Sequence, residues 1–181
     1  PQPCREARGR FEQGNIPSSM RSAGLDYRVY LPPCYPQEGY HYPVLYFLHG
    51  QLFRLDQWDR LGADEALEAL IQSGNAPPYL IVMPQEPDGL ATQWESKYGD
   101  ILARELVPYI DSHYQPCAER DCRAIGGLSR GAGWAARVAL IEWKSFSAVG
   151  LHSFAPFRGD WNAVPIWVRE IPSGQLPRIY M

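Results

Sequence analysis

The chain lacks the features that mark membrane-spanning, nucleic-acid-binding or repetitive proteins. None of its apolar stretches approaches the roughly 20 residues that a membrane-spanning helix needs. Its formal net charge of -3 offers no excess of positive charge, so neither nucleic acid nor an anionic membrane is expected as a partner. Internal repeats, heptads and low-complexity tracts are absent, which argues against a repeat or coiled-coil architecture.

Cysteine and histidine are scarce, with four residues of each. They do not cluster at the spacing of metal ligands, so neither a metal site nor a cofactor is expected. Cys117 and Cys122 flank a short segment that a disulfide can close, and Cys4 with Cys34 would then form a second one. Two disulfides indicate an oxidising compartment, so we expect a secreted or periplasmic protein. Four free thiols in a cytoplasmic protein is the alternative that the sequence leaves open.

The composition suits one substantial core, because 45% of the 181 residues are hydrophobic and 20% are charged. We expect a single α/β domain over residues 1–181, with antiparallel strands first and parallel crossovers after them. Seven strands are predicted, at 9–15, 27–31, 43–48, 79–83, 123–128, 146–151 and 177–181. Helices are predicted at 63–73, 96–113 and 131–143, and loops at 84–94 and 153–161. Ligands of such sheets bind beyond the carboxyl ends of the strands.

A nucleophile elbow is predicted at residues 127–131, which read Gly-Leu-Ser-Arg-Gly. A strand that turns sharply into a helix strains the serine backbone and leaves no room for side chains beside it, which explains Gly127 and Gly131. The pattern predicts Ser129 as a nucleophile. The alternatives are a turn without chemistry and a phosphate-binding loop, but the latter lacks its Lys-Ser/Thr pair.

An oxyanion hole is predicted next to this elbow. The apolar strand at 42–48 ends in His49 and Gly50, and the loop after such a strand supplies one backbone N–H. We assign that donor to Gln51, with Leu52 as the near alternative, and the second donor to Arg130. His49 is interpreted as a histidine that orders its own loop rather than as a general base.

Four segments, at 27–33, 48–50, 98–111 and 127–131, together resemble the Putative esterase family of α/β hydrolases. This family includes feruloyl esterases, esterase D, enterochelin esterases and mycolyltransferases. The resemblance implies an α/β-hydrolase fold, in which helices flank a mostly parallel central sheet. It also implies a serine carboxylic ester hydrolase that acts through an acyl-enzyme on a small or aromatic ester. Arg130 departs from the smaller or uncharged residue expected after the serine.

The remaining members of a catalytic triad are harder to assign. By resemblance the acid follows the strand at 177–181 and the histidine lies further along, so we expect a fold without its last strand and helix. The chain is then a piece of a longer hydrolase, a short chain that completes its sheet by association, or a degenerate hydrolase that only binds. His152 is the candidate substitute base, with Asp160 as its acid. A structural role for His152 is the alternative.

Aromatic residues are plentiful near the predicted mouth of the site. Trp94, Phe154 and Phe157 are interpreted as substrate-binding residues, whereas Trp134, on the helix behind the elbow, is expected in the core. For the Arg130 side chain, contact with a substrate carboxylate and simple solvation both stay open.

An exposed apolar strand near Ile179 favours a homodimer formed through the edge of the sheet. The partner in the reaction is a small-molecule ester. A catalytically silent binding or scaffold protein on the same fold, or an acyltransferase, is the alternative function.

Overall fold

A mostly parallel sheet is the frame of the molecule. The computed structural model describes residues 5–87 and 91–181, and within them the seven strands run in the order β1-β2-β4-β3-β5-β6-β7. The strands are β1 (Arg10–Ile16), β2 (Leu25–Leu31), β3 (Val44–Leu48), β4 (Leu80–Pro84), β5 (Arg123–Leu128), β6 (Ala148–His152) and β7 (Arg178–Tyr180). β2 pairs antiparallel with β1 and β4, and the other neighbours are parallel. All seven predicted strands and the antiparallel beginning of the sheet are confirmed.

Helices connect the parallel strands. They are α1 (Gln57–Arg60), α2 (Ala63–Gln72), α3 (Tyr98–Ile101), α4 (Val107–His113), α5 (Arg130–Ile141) and α6 (Asp160–Glu170). A π-helical turn (Leu102–Leu106) joins α3 to α4, so the helix predicted at 96–113 is continuous but not uniform. Pro108 explains this turn, because proline has no N–H to donate and its ring clashes with the carbonyl one turn earlier.

The prediction was wrong for α6, the start of which was assigned to a loop. α6 carries Pro165 in its interior, and an internal proline removes a helical hydrogen bond. Two large side chains on it, Trp161 and Ile166, are exposed, so the sequence shows no clean apolar stripe. The four-residue helix α1 was also missed.

The core covers both faces of the sheet. Consecutive residues of β4 alternate between the faces: Leu80 and Val82 belong to the larger buried cluster, whereas Ile81 and Met83 belong to the smaller one. The larger cluster contains residues of α3, α4 and α5, and the smaller one contains Leu67 of α2. Helices therefore flank the sheet on both sides, as predicted.

One of the two predicted disulfides is present. Cys117 and Cys122 are bonded just before β5. The second predicted pair includes Cys4, which lies outside the described residues, so it stays a prediction. In the part of the chain that the structure describes, no helix is long and apolar enough to cross a membrane.

β7 forms one margin of the sheet. Its Ile179 is 56% exposed, and within the described residues β7 pairs with β6 alone. The exposed apolar strand predicted near Ile179 is therefore present.

Candidate active site

Ser129 occupies a strained turn at the carboxyl end of β5. Its backbone angles are φ 54° and ψ -112°, a conformation that residues other than glycine rarely adopt. The Ser129 N–H donates to the carbonyl of His152 at 2.8 Å, and the Ser129 carbonyl accepts the N–H of Gly133 at 3.0 Å. The serine thus ends one strand, begins α5 and is held by the neighbouring strand, as a nucleophile elbow requires.

Two glycines make this turn possible. A Cβ atom on Gly127 would lie 2.3 Å from the backbone carbon of Gly131, and one on Gly131 would lie 2.3 Å from the Leu48 carbonyl oxygen. Neither contact can be relieved by moving a side chain, because both partners are backbone atoms. The predicted need for glycine at these positions is confirmed, and α5 begins directly against the end of β3.

The loop after β3 leaves backbone donors unused beside this turn. The Gly50 N–H already donates to Gln57 Oε1 at 2.7 Å, and the Phe53 N–H donates to the Gly50 carbonyl at 3.1 Å. Within the described residues, the N–H groups of Gln51 and Leu52 have no such partner. Leu52 has a positive φ of 66°, so the loop turns sharply where the donors lie.

Arg130 supplies a third unused donor. It is the first residue of α5, and the N–H groups of a first helical turn have no partner within the helix. The positive end of the helix dipole adds to the attraction for an anion at this point. The structure therefore brings the predicted donor segments to the same end of neighbouring strands.

His49 is a buried, neutral, structural histidine. Its Nε2 accepts the backbone N–H of Glu86 at 2.8 Å and faces the Gln85 amide nitrogen at 3.0 Å. Nδ1 must then carry the proton, which it donates to the Gly50 carbonyl at 2.8 Å. Burial lowers the pKa of His49. Both ring nitrogens are occupied, in agreement with a histidine that orders its loop.

The Arg130 side chain pairs with Glu86, so it is not simply solvated. Nε donates to both carboxylate oxygens of Glu86 at 2.9 Å, Nη2 donates to Oε1 at 2.6 Å, and Nη2 also donates to the Ala91 carbonyl at 2.7 Å. The side chains of Glu86 and Arg130 are only 2% and 12% exposed. Because a buried carboxylate requires such a partner, Nε and Nη2 of Arg130 are engaged by it. Contact of the remaining Nη1 with a substrate carboxylate stays a prediction.

Phe157 belongs to the core, which corrects its predicted contact with substrate. It is 9% exposed and packs edge-on against Trp134, with 4.9 Å between ring centroids. The Arg130 guanidinium lies over the Phe157 ring, 5.1 Å from its centroid. The indole N–H of Trp134 donates to Glu86 Oε1 at 2.8 Å, and its burial confirms the core position that was expected.

Trp94 and Phe154 remain at the surface. Trp94 is 62% exposed, and its ring stacks on the Arg137 guanidinium at 4.5 Å. Phe154 is half-buried and faces the exposed Trp161 ring at 6.3 Å. Contact of Trp94 and Phe154 with a substrate stays a prediction.

His152 and Asp160 do not form a pair. Asp160 is buried and accepts Arg137 Nη1 at 2.7 Å and the Gln93 amide at 3.5 Å. Its carboxylate is thus already neutralised, which corrects the proposed acid. His152 is exposed at the end of β6, and its Nδ1 bonds to Ser153 Oγ at 3.0 Å. It lies opposite Leu128 in the β5–β6 register.

No histidine of the described residues is hydrogen-bonded to the Ser129 hydroxyl. His49 is fully engaged, and His113 stacks on Tyr109 at 3.8 Å between ring centroids. The described residues also contain no group of His, Cys, Asp or Glu that could hold a metal ion.

Sequence reasoning missed Glu86, the most connected side chain of the site. One signal was available: Glu86 follows β4, and Arg130 is an unusual charged residue after the serine. Because the carboxyl ends of parallel strands meet at one edge, the two opposite charges were candidates for a pair.

The chain is similar in sequence to known esterases. Residues 20–174 match the family model described as Putative esterase. Esterase Rv1288 of Mycobacterium tuberculosis (strain ATCC 25618 / H37Rv) is 32% identical over 154 residues, which cover 77% of this chain and 31% of that protein. The chain thus spans about a third of the length of this relative.

Solved structures show the same fold. A ferulic acid esterase superposes with a TM-score of 0.77 at 24% identity, covering 94% of this chain and 75% of the other. A feruloyl esterase module from Clostridium thermocellum, complexed with sinapinate, gives 0.81 at 19% identity over 98% and 67%. The predicted α/β-hydrolase fold is confirmed.

The lowered pKa of His49 predicts how stability depends on pH. The His49 contribution is fully present above the unfolded pKa of about 6.5 and is lost as the pH falls towards the folded pKa. The loss is about 1.4 kcal/mol for each pH unit between the two pKa values. Urea unfolding from pH 7.5 to 5.0 should show wild type losing more stability than His49→Gln.

The difference in stability between wild type and His49→Gln isolates the contribution of the His49 imidazole. Burial raises the pKa of Asp160, and it raises the pKa of Asp64 to about 6. These two carboxyl groups make the protein more stable as the pH falls, the opposite of His49, but they do so equally in wild type and in His49→Gln. Parallel losses of stability in wild type and His49→Gln would contradict the prediction.

Proposed function

The chain belongs to the Putative esterase family, and from that premise we propose that it hydrolyses a carboxylic ester through a covalent acyl-enzyme at Ser129. The observation that carries the proposal is the strained Ser129 turn with unused backbone donors beside it. A positive φ of 54° has a conformational cost, and such strain persists at sites where it has a use.

The proposed reaction begins with attack of Ser129 Oγ on the ester carbonyl, while a histidine removes the hydroxyl proton. The negative charge on the carbonyl oxygen is stabilised by the N–H of Arg130 and by that of Gln51, or of Leu52 next to it. Donors held in place before the reaction usually provide the largest single catalytic effect. The alcohol then leaves with the proton, and water releases the acid from Ser129.

His152 is the histidine that we propose as base. It lies opposite Leu128 in the β5–β6 register, and Leu128 directly precedes Ser129 in the chain. The His152 side chain is exposed. Asp160 has no part in this proposal, because its carboxylate pairs with Arg137.

We propose a small or aromatic ester as substrate. The exposed Trp94 ring and the half-buried Phe154 ring follow β4 and β6, at the edge where ligands of parallel sheets bind. The feruloyl esterase module of Clostridium thermocellum, similar in fold, was solved with sinapinate, and this supports an aromatic acid.

A catalytically silent binding protein is the second candidate function. The observation in its favour is that no histidine of the described residues is hydrogen-bonded to the Ser129 hydroxyl. Catalytic hydrogen bonds often form only in the complex with substrate, so we favour the enzyme.

We further propose that the protein works in an oxidising compartment, since the Cys117–Cys122 disulfide is typical of secreted or periplasmic proteins.

We also propose a homodimer, because the exposed Ile179 and Tyr180 of β7 offer an apolar margin on which a second copy can continue the sheet.

Replacing the nucleophile should abolish ester hydrolysis. With p-nitrophenyl acetate and butyrate, wild type should be at least about 100-fold faster than Ser129→Ala, because the acyl-enzyme cannot form without the hydroxyl. Ser112→Ala, on the exposed side of α4, is the matched control and should keep the wild-type rate. Equal rates for wild type and Ser129→Ala would reject the enzyme in favour of the binding protein.

Removal of the proposed base should lower kcat by about 10²- to 10⁴-fold, the usual contribution of general-base catalysis. The control in the same assay is His113→Ala, which removes another exposed histidine, one that stacks on the half-buried Tyr109, and it should keep the wild-type rate. Full activity of His152→Ala would exclude it as the base.

The dimer predicts a mass near twice 20.5 kDa in light scattering. Ile179→Lys should shift the protein to the monomer, because a charge on an edge strand disfavours pairing. A monomeric wild type would contradict this part of the proposal.

A further inference from the structure

We infer that Glu86 is a positioning residue for the oxyanion site. It joins the two backbone segments that carry the donors, the loop after β3 and the start of α5. Its catalytic consequence rests on the proposed function, whereas the mechanical link between the two segments does not.

The first half of this link runs through the backbone of Glu86. Its N–H donates to His49 Nε2 at 2.8 Å, and His49 Nδ1 donates to the Gly50 carbonyl at 2.8 Å. The residue after Gly50 is Gln51, the assigned donor. Because acceptance at Nε2 selects the tautomer with the proton on Nδ1, the Glu86 N–H also maintains the bond that holds the loop.

The second half runs through the carboxylate of Glu86. It accepts three hydrogen bonds from the Arg130 fork and one from the Trp134 indole. Both donors belong to the first five residues of α5, so the carboxylate fixes the end of the helix whose first N–H is the other oxyanion donor. The bidentate geometry restrains direction as well as distance.

The charges of this pair also suit an anion site. A lone carboxylate here would repel the oxyanion that develops during the reaction, and Arg130 neutralises it in a region of low solvent exposure. The pair therefore gives rigidity without a net negative charge.

Replacement of the carboxylate separates position from charge. Glu86→Gln keeps the size of the side chain and the backbone N–H, but it turns one acceptor into a donor that opposes the Arg130 fork. The site then gains positive charge, which by itself would favour an oxyanion. A fall in rate therefore reports lost positioning rather than lost electrostatic attraction.

The first measurement is amide hydrogen exchange, which needs no turnover. In Glu86→Gln, exchange of the hydrogen-bonded amides in both segments, Gly50 and Phe53 in the loop and Ser129 and Gly133 at the turn, should become at least about 10-fold faster. The matched control is Asp111→Asn, which breaks the ion pair with the buried Arg123 at the far end of β5. This control should leave both segments unchanged, and unchanged exchange in Glu86→Gln would overturn the inference.

The second measurement is steady-state hydrolysis of p-nitrophenyl acetate. Glu86→Gln should lower kcat by about 10- to 100-fold with KM within about 2-fold, because misplaced donors act on the transition state. Asp111→Asn should keep the wild-type kcat even though the protein becomes less stable. Glu86→Asp should restore part of the kcat that Glu86→Gln loses. Faster exchange together with an unchanged kcat in Glu86→Gln would reduce Glu86 to a structural residue and overturn its positioning role.

Two further conditions keep the outcome unambiguous. If Glu86→Gln does not fold, Arg130→Lys, which keeps the charge but loses the fork, is held to the same criteria in both measurements. If wild type is no faster than Ser129→Ala, the proposed function fails, and amide exchange alone decides whether Glu86 links the two segments.

Discussion

The buried carboxylate of Glu86 is the constraint on which the site depends. A carboxylate that is 2% exposed is tolerated only with compensating donors, since the desolvation of one ion costs several kcal/mol. Arg130 and Trp134 of α5 provide them, and the backbone of Glu86 in turn holds His49. One desolvated charge thus ties together the ends of β3, β4 and β5.

The second constraint is the close backbone-to-backbone contact between the end of β3 and the start of α5. The sheet places Leu48 beside Gly127, and α5 starts so close that Gly131 has no space for a Cβ atom. This proximity brings the loop after β3 to the serine and forces the strained angles of Ser129. The strain is therefore a consequence of how strand, turn and helix pack, and the Glu86 network holds that packing in place.

Much of this arrangement was predictable from local patterns. All seven strands, the elbow at Ser129, the role of His49 and the core position of Trp134 followed from apolar runs, glycine spacing and the resemblance to esterases. The errors have a common origin in longer-range contacts. Phe157 was assigned to the substrate, and the Arg130 side chain was left between a substrate carboxylate and solvent. Glu86, 44 positions before Arg130, instead pairs with the arginine, and Phe157 packs against the guanidinium. Asp160 was assigned as the acid that orients His152, but its carboxylate forms an ion pair with Arg137 instead.

By itself, the sequence determined the seven strands along the chain and the sharp turn at Ser129, because these depend on neighbouring residues: apolar runs along a strand, and glycines where a side chain has no space. Only the tertiary structure decided which charges meet. Arg130 and Asp160 each had several partners or solvent available in principle. The choice followed from burial, because a charged group enclosed by the fold must pair with the opposite charge that the sheet brings within reach.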